Sequence, residues 1–145
     1  MNWLSLSILI FCLMEFGNVS ILYFWPNHRL GNGVAFFDSW EEAKSDEMME
    51  MFVHYLMYWV AGVKLIFIFL LLVVLVTGSD LTKFFAVIAM ILSIATYFWK
   101  LHPLISRLDQ AGKITPQGYS LKLGKMIKGF LVMFSLALVF AMLSV

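Results

Sequence analysis

Four long apolar stretches divide the chain, and short polar segments separate them. The stretches cover residues 3–25, 51–76, 81–99 and 126–144. A helix that crosses the hydrocarbon core of a bilayer needs about 20 mainly apolar residues, so each stretch is long enough to span it. Because a backbone in lipid must satisfy its own hydrogen bonds, the pattern predicts an all-α fold. The expected architecture is a four-helix transmembrane bundle that forms one domain over residues 1–145.

The first two connections contain recognisable helix-capping signals. Thr77 to Asp80 holds a glycine suited to a helix C-cap and polar residues suited to the next N-cap. Spans two and three are therefore predicted to form a tight hairpin. In the first loop, Ser39 and Glu42 fit a capping box, which predicts a short helix at the membrane surface.

The third loop carries a second predicted interfacial helix, over residues 103–111. The side chains expected to face lipid are Leu104, Ile105, Leu108 and Ala111, and those expected to face water are Arg107, Asp109 and Gln110. Thr115 and Pro116 then fit the N-cap and the first helical residue of the last helix.

Composition supports the membrane prediction. Hydrophobic residues make up 62% of the chain and charged residues 13%, against about 45–50% and about 25% in soluble domains. The net charge of +1 and the lack of a basic stripe exclude nucleic acid as an expected partner. The expected partners are the lipid bilayer and other membrane subunits or further copies of the chain. The first stretch lacks a basic start and an Ala-x-Ala site, so we expect a retained helix rather than a signal peptide.

Lysine and arginine residues concentrate in the first and third loops. The first loop holds Arg29 and Lys44, the third holds six cations, and the opposite side holds only Lys83. Since cytoplasmic loops carry the excess of positive residues, both loops are predicted to be cytoplasmic, with both termini outside. The expected location is a bacterial inner membrane.

The sharpest candidate site is a pair of opposite charges, Glu15 in span one and Lys64 in span two. Each alone costs about 2.5–3.5 kcal/mol at the centre of a membrane helix, so the two are predicted to form an intramembrane salt bridge. Cys12 and Asn18 share the helical face of Glu15. The pair is either a proton, ion or small-substrate site, or a structural bridge that fixes helix pairing.

Span three carries small and weakly polar residues at spacings of three or four: Ala86, Ala89, Ser93, Thr96 and then Lys100. Small residues on one face of a membrane helix favour close packing, which is the expected role of this stripe. Ser93 and Thr96 are also expected to lie within hydrogen-bond reach of the charged pair.

Two further clusters are candidate binding sites. Glu47, Glu50 and His54 share one face at the start of span two, and His102 ends span three on the same side; these residues suit a divalent metal or, through the histidines, haem iron. Their alternative role is capping and interfacial, and no cofactor is the expectation. The lysines that lead into span four are suited to anionic lipid headgroups: Lys122, Lys125 and Lys128.

No Walker loop, dinucleotide glycine fingerprint, His-Glu-x-x-His or Gly-x-Ser-x-Gly motif is present in the sequence. The expected function is therefore a non-enzymatic accessory subunit, or one that binds a partner or lipid. The alternatives are a small carrier that uses Glu15 and Lys64, and a haem- or metal-binding redox anchor that uses His54 and His102. In layout the chain resembles the small four-span bundles of the DoxX-like kind, a resemblance that implies no site residue.

Overall fold

The computed structural model describes residues 2–31 and 33–143, and within these ranges the regular structure is helical. The α-helices are α1 (Trp3–Phe24), α2 (Asp38–Ala43), α3 (Glu47–Thr77), α4 (Asp80–Ala95), α5 (Leu101–Gln110) and α6 (Tyr119–Leu143), with 3-10 turns at Val34–Phe36 and Thr96–Phe98. Four helical stretches in the described ranges are long and apolar enough to cross a membrane: Trp3–Phe24, Glu47–Thr77, Asp80–Gln110 and Tyr119–Leu143. The predicted all-α class with four such helices is confirmed.

α1 is the central helix of the bundle, because it packs against α3, α4 and α6. Its buried face repeats every three or four residues, which is the period of one side of a helix. The apolar members of this face include Leu4, Ile8, Phe11, Val19 and Leu22. On α3, Ala61, Ile68 and Leu71 are buried in the same core, whereas Met57 packs with Ala35, Trp40 and Ala43. Ala61 is fully buried, and its small side chain lets the two helices approach closely.

Only two residues separate α3 from α4. The backbone N–H of Gly78 donates to the Val74 carbonyl at 2.9 Å, which closes the last turn of α3. The Ser79 hydroxyl accepts the Thr82 N–H at 3.2 Å and so caps the start of α4. α3 and α4 nevertheless make fewer contacts with each other than either makes with the rest of the bundle.

The first and third loops are bonded to each other at one end of the bundle. Phe37 and Ile114 form an isolated antiparallel bridge. The Thr115 N–H donates to the Phe36 carbonyl at 2.8 Å, and the Thr115 hydroxyl donates to Asp38 Oδ1 at 3.1 Å. These contacts place both loops on the same end of the bundle.

The predicted starts of α2 and α6 are wrong. α2 begins at Asp38 with Phe37 as its N-cap, so Ser39 lies inside the first turn and the capping box with Glu42 does not form. α6 begins at Tyr119, well after Pro116. Contacts between the two loops are the reason. The Thr115 hydroxyl donates a hydrogen bond to Asp38, so the two residues do not cap their own helices.

The predicted faces of α5 are also partly wrong. Ile105 is 4% exposed and Asp109 is 8% exposed, although the first was expected in lipid and the second in water. α5 packs on α6, so the side of α5 that carries both residues is covered by protein. Leu104, on another side of the helix, is exposed as expected for a lipid-facing residue.

Candidate functional site

Glu15 and Lys64 meet between α1 and α3. Lys64 Nζ lies 2.7 Å from Glu15 Oε2, and Asn18 Nδ2 donates to the other carboxylate oxygen at 3.4 Å. The side chain of Glu15 is 14% exposed and that of Lys64 is 26% exposed. The carboxylate therefore has a partner on each oxygen, and the Lys64 side chain stays partly exposed.

The buried faces of the two helices explain why these charges meet. Glu15 continues the face of α1 that contains Phe11 and Leu22, and Lys64 lies between Ala61 and Ile68 on the buried face of α3. Each charge thus stands where an apolar residue would continue the helix–helix contact. Cys12, one turn from Glu15 on the same face, is buried at 3% exposure.

The ion pair opens onto a cleft of about 590 Å³ between α3 and α4. Its lining residues are Phe11, Glu15, Lys64, Phe67, Ser93, Ile94, Thr96, Tyr97, Trp99, Lys100, Leu101, Ile127 and Phe130. Lys64 and Ser93 lie equally far along the chain from the Gly78–Ser79 connection, and a rise of about 1.5 Å per residue puts both about 20 Å from it. The cleft therefore lies about 20 Å along the helices from the connection that joins α3 and α4.

Two members of the small-residue stripe of span three, Ser93 and Thr96, line this cleft together with Lys100, whereas Ala86 and Ala89 do not. Ala89, Ser93 and Thr96 are exposed, whereas Val87 and Met90 form the buried face of α4, so the predicted packing role of the stripe is wrong. The Thr96 hydroxyl donates to the Ser93 carbonyl at 2.6 Å. Among the hydrogen bonds of the described chain, neither residue reaches the Glu15–Lys64 pair.

The two interfacial histidines pack in different places. His54 Nδ1 lies 3.1 Å from the Glu50 carbonyl oxygen, and its ring stands 5.2 Å from that of Trp40. His102 Nδ1 lies 3.3 Å from the Tyr97 hydroxyl. A Cβ on Gly124 would come within 3.2 Å of the His102 ring, so the glycine lets α5 lie close against α6.

These placements give the metal and haem hypotheses no support. Within residues 2–31 and 33–143, no group of three or more His, Cys, Asp and Glu side chains is arranged to hold a metal ion. Glu47 is exposed in the first turn of α3, where a negative charge favours the helix dipole. Glu50 lies in the same turn and offers His54 only its backbone carbonyl.

The three lysines that precede span four have different surroundings. Lys122 lines a separate pocket with Arg29 of the first loop. Lys128 Nζ lies 5.9 Å from the centre of the Phe98 ring, and Lys125 is exposed. Sequence spacing alone grouped the three residues, whereas their surroundings separate them.

Asp109, which was expected to face water, is a buried residue with a structural role. Its carboxylate accepts the N–H groups of Gly118 and Ser120, each at 2.9 Å, together with the Ser120 hydroxyl. Asp109 lies in α5, beyond residues 81–99, the apolar stretch predicted as span three. The Ser120 hydroxyl, followed by the two N–H groups, holds the pKa of Asp109 below its usual 3.8 despite partial burial. Asp109 thereby fixes the start of α6 to α5.

In the part of the chain that the structure describes, the fold is an all-helical bundle with four helices able to span a membrane and a cleft that reaches a partly buried ion pair. No protein-family model, curated protein or solved structure matches the chain. The function is therefore argued from the geometry of the site.

Proposed function

We propose that this chain is a non-enzymatic protein of the membrane, embedded through α1, α3, α4 and α6, that binds one lipid-like amphiphile in the cleft between α3 and α4. The observation that carries the proposal is the course of the cleft. It runs from the Glu15–Lys64 pair inside the bundle to Lys100 and Trp99 beyond the end of α4. An amphiphile has the same division between a polar end and a long apolar part.

The chemistry of the lining matches such a ligand. The aromatic and aliphatic walls, among them Phe67 and Phe130, suit a hydrocarbon chain. Glu15 and Lys64 neutralise each other, so the charge of the lining is set by Lys100 and is positive. The volume of about 590 Å³ lies within the range of about 300–1,000 Å³ typical of small-molecule sites. The ligand is accordingly one with a negative or strongly polar head near Lys100.

The proposal includes the orientation expected from the positive residues. The first and third loops face the cytoplasm, because they carry nearly all of the lysine and arginine residues outside the spans. In that orientation the end of the cleft near Trp99 and Lys100 opens toward the cytoplasmic leaflet. A tag on either terminus that a membrane-impermeant reagent reaches from the cytoplasmic side would contradict it.

Filling the cleft is expected to remove the amphiphile. Ser93→Leu adds a bulky side chain to the lining, and we expect at least about a tenfold loss of co-purified lipid in native mass spectrometry, which corresponds to about 1.4 kcal/mol of binding free energy. Ala89→Leu is the matched control, because Ala89 is exposed on α4 without lining the cleft. Equal lipid in both variants, or a wild type that retains no lipid in mild detergent, would contradict the proposal.

A small carrier is the second candidate function, and the partial exposure of Lys64 favours it. Its side chain is 26% exposed and lines the cleft, so the ion pair is in reach of an ion or proton that enters the cleft. If the protein is a carrier, Glu15→Gln abolishes uptake into proteoliposomes while the folded fraction, measured by size-exclusion chromatography, stays sufficient for the assay. Uptake that persists in Glu15→Gln would restrict the ion pair to a structural role.

A further inference from the structure

A second pocket lies where the first loop meets the start of α6. It has a volume of about 290 Å³, and its walls include Arg29, Gly31, Phe36, Tyr119, Lys122 and Met126. Ligand sites for whole small molecules are typically about 300–1,000 Å³. The pocket therefore suits a headgroup rather than an entire lipid.

Contacts between the loop and the helix build this pocket. The rings of Phe36 and Tyr119 stack at 4.0 Å, and the Tyr119 hydroxyl donates to the Gly31 carbonyl at 3.4 Å. Arg29 Nε donates to the Ala35 carbonyl at 3.1 Å, which holds the arginine stem against the loop. Two cations from distant parts of the sequence, Arg29 and Lys122, are thus brought to one opening.

Neither cation is neutralised by an acidic side chain of the described chain. The ion pairs found in residues 2–31 and 33–143 are those of Lys44, Lys64 and Lys113, and both pocket cations are exposed. Two positive groups at one pocket repel each other unless an anion lies between them. A guanidinium fork and an ammonium together suit the oxygens of a phosphate.

The height of the pocket along α6 matches the headgroup layer. A helix of 25 residues is about 37 Å long, whereas the hydrocarbon core is about 30 Å thick. The apolar stretch of this helix begins at about Met126, so the surplus length belongs to the first turns of α6, where Lys122 lies. Leu123 and Met126 follow toward the membrane interior and supply an apolar wall below the cations.

We propose that Arg29 and Lys122 bind the phosphate of an anionic glycerophospholipid, with its first acyl carbons against Leu123 and Met126. Arg29 supplies a bidentate donor and Lys122 a point charge, so the pocket selects a lipid with net negative charge. The site is separate from the cleft between α3 and α4 and binds whether or not the cleft is occupied.

The test is the thermal stabilisation of the full-length protein in detergent micelles doped with phosphatidylglycerol. A ligand that binds only the folded state raises the melting temperature, and we expect phosphatidylglycerol to do so while phosphatidylcholine does not. Each cation near a membrane surface contributes about 1 kcal/mol, or about fivefold in affinity. Arg29→Gln and Lys122→Gln are each expected to raise the lipid concentration needed for half the effect by about fivefold, and together by about 25-fold.

Three controls make the result decisive. Arg29→Lys keeps the charge and retains most of the response even if the bond to Ala35 is lost. Lys125→Gln removes an exposed lysine of the same helix that does not line the pocket, and it leaves the response unchanged. Ser93→Leu fills the other cleft, and the part of the response that depends on Arg29 and Lys122 persists in it.

If only diffuse attraction to the positive surface held the lipid, Lys125→Gln would weaken the thermal response as much as Lys122→Gln does. That result would overturn the proposal. Stabilisation by inorganic phosphate alone, with none added by phosphatidylglycerol, would also overturn it, because the site would then hold a free anion. A response lost in Ser93→Leu but kept in Lys122→Gln would assign the lipid to the cleft.

Discussion

Replacing Glu15 with glutamine is expected to lower the free energy of unfolding by about 2–3 kcal/mol. The substitution leaves the Lys64 ammonium on the buried face of α3 without its 2.7 Å partner, and breaking a buried pair costs more than the pair contributes. The estimate is set below the full cost of a buried charge because Lys64 is 26% exposed and retains some contact with the cleft. Reversible unfolding in mixed micelles measures the change.

The double variant separates a structural bridge from a functional one. Glu15→Gln with Lys64→Met removes both charges, and we expect it to recover most of the lost stability, since methionine fills the helix contact without a charge. Glu47→Gln is the matched control, because Glu47 is exposed in the first turn of α3. We expect this substitution to change the free energy of unfolding by less than about 1 kcal/mol. A double variant no more stable than Glu15→Gln would show that the two charges are not coupled.

Removing the Asp109 carboxylate is expected to cost about 2–3 kcal/mol. Asp109→Ala leaves the N–H groups of Gly118 and Ser120 without their acceptor in a covered position, and it releases α6 from α5. Asp46→Ala provides the comparison, because Asp46 caps α3 through the Met48 and Met49 N–H groups but is exposed. We expect about 1 kcal/mol there. Equal losses would mean that Asp109 is an ordinary exposed cap.

The stability that Asp109 supplies also depends on pH, with a sign that its pKa determines. Because the folded state lowers this pKa below 3.8, the contribution is fully present above about pH 4 to 5 and is lost as the pH falls through the folded pKa. The difference in unfolding free energy between the wild type and Asp109→Asn should therefore be constant near neutral pH and shrink in acid. A difference that grows in acid would contradict the assignment.

The sequence by itself determined the helices and the two charges that must be compensated. Twenty or so apolar residues leave a chain in lipid no alternative to a helix, so the length of each stretch was enough to locate it. Glu15 and Lys64 were predicted to meet because either charge alone opposes insertion, an argument that needs no knowledge of neighbours. A cap at Ser79 or Asp80 was also readable, since a cap depends on residues within one turn, and the structure uses Ser79.

Only the tertiary structure decided how the polar residues outside the spans are used. Ser39 and Thr115 carry local capping signals, yet Asp38 and Thr115 bond to each other across two loops. Asp109 was assigned to water by helical periodicity, but it is covered because α5 lies on α6.

The cleft and the cation pocket depend on the same kind of distant contact. Residues of α1, α3, α4 and α6 come together to line the cleft, and the stacking of Phe36 on Tyr119 brings Arg29 to Lys122. Periodicity and capping report on neighbours within a few residues, whereas these sites form between segments that only the folded bundle brings together.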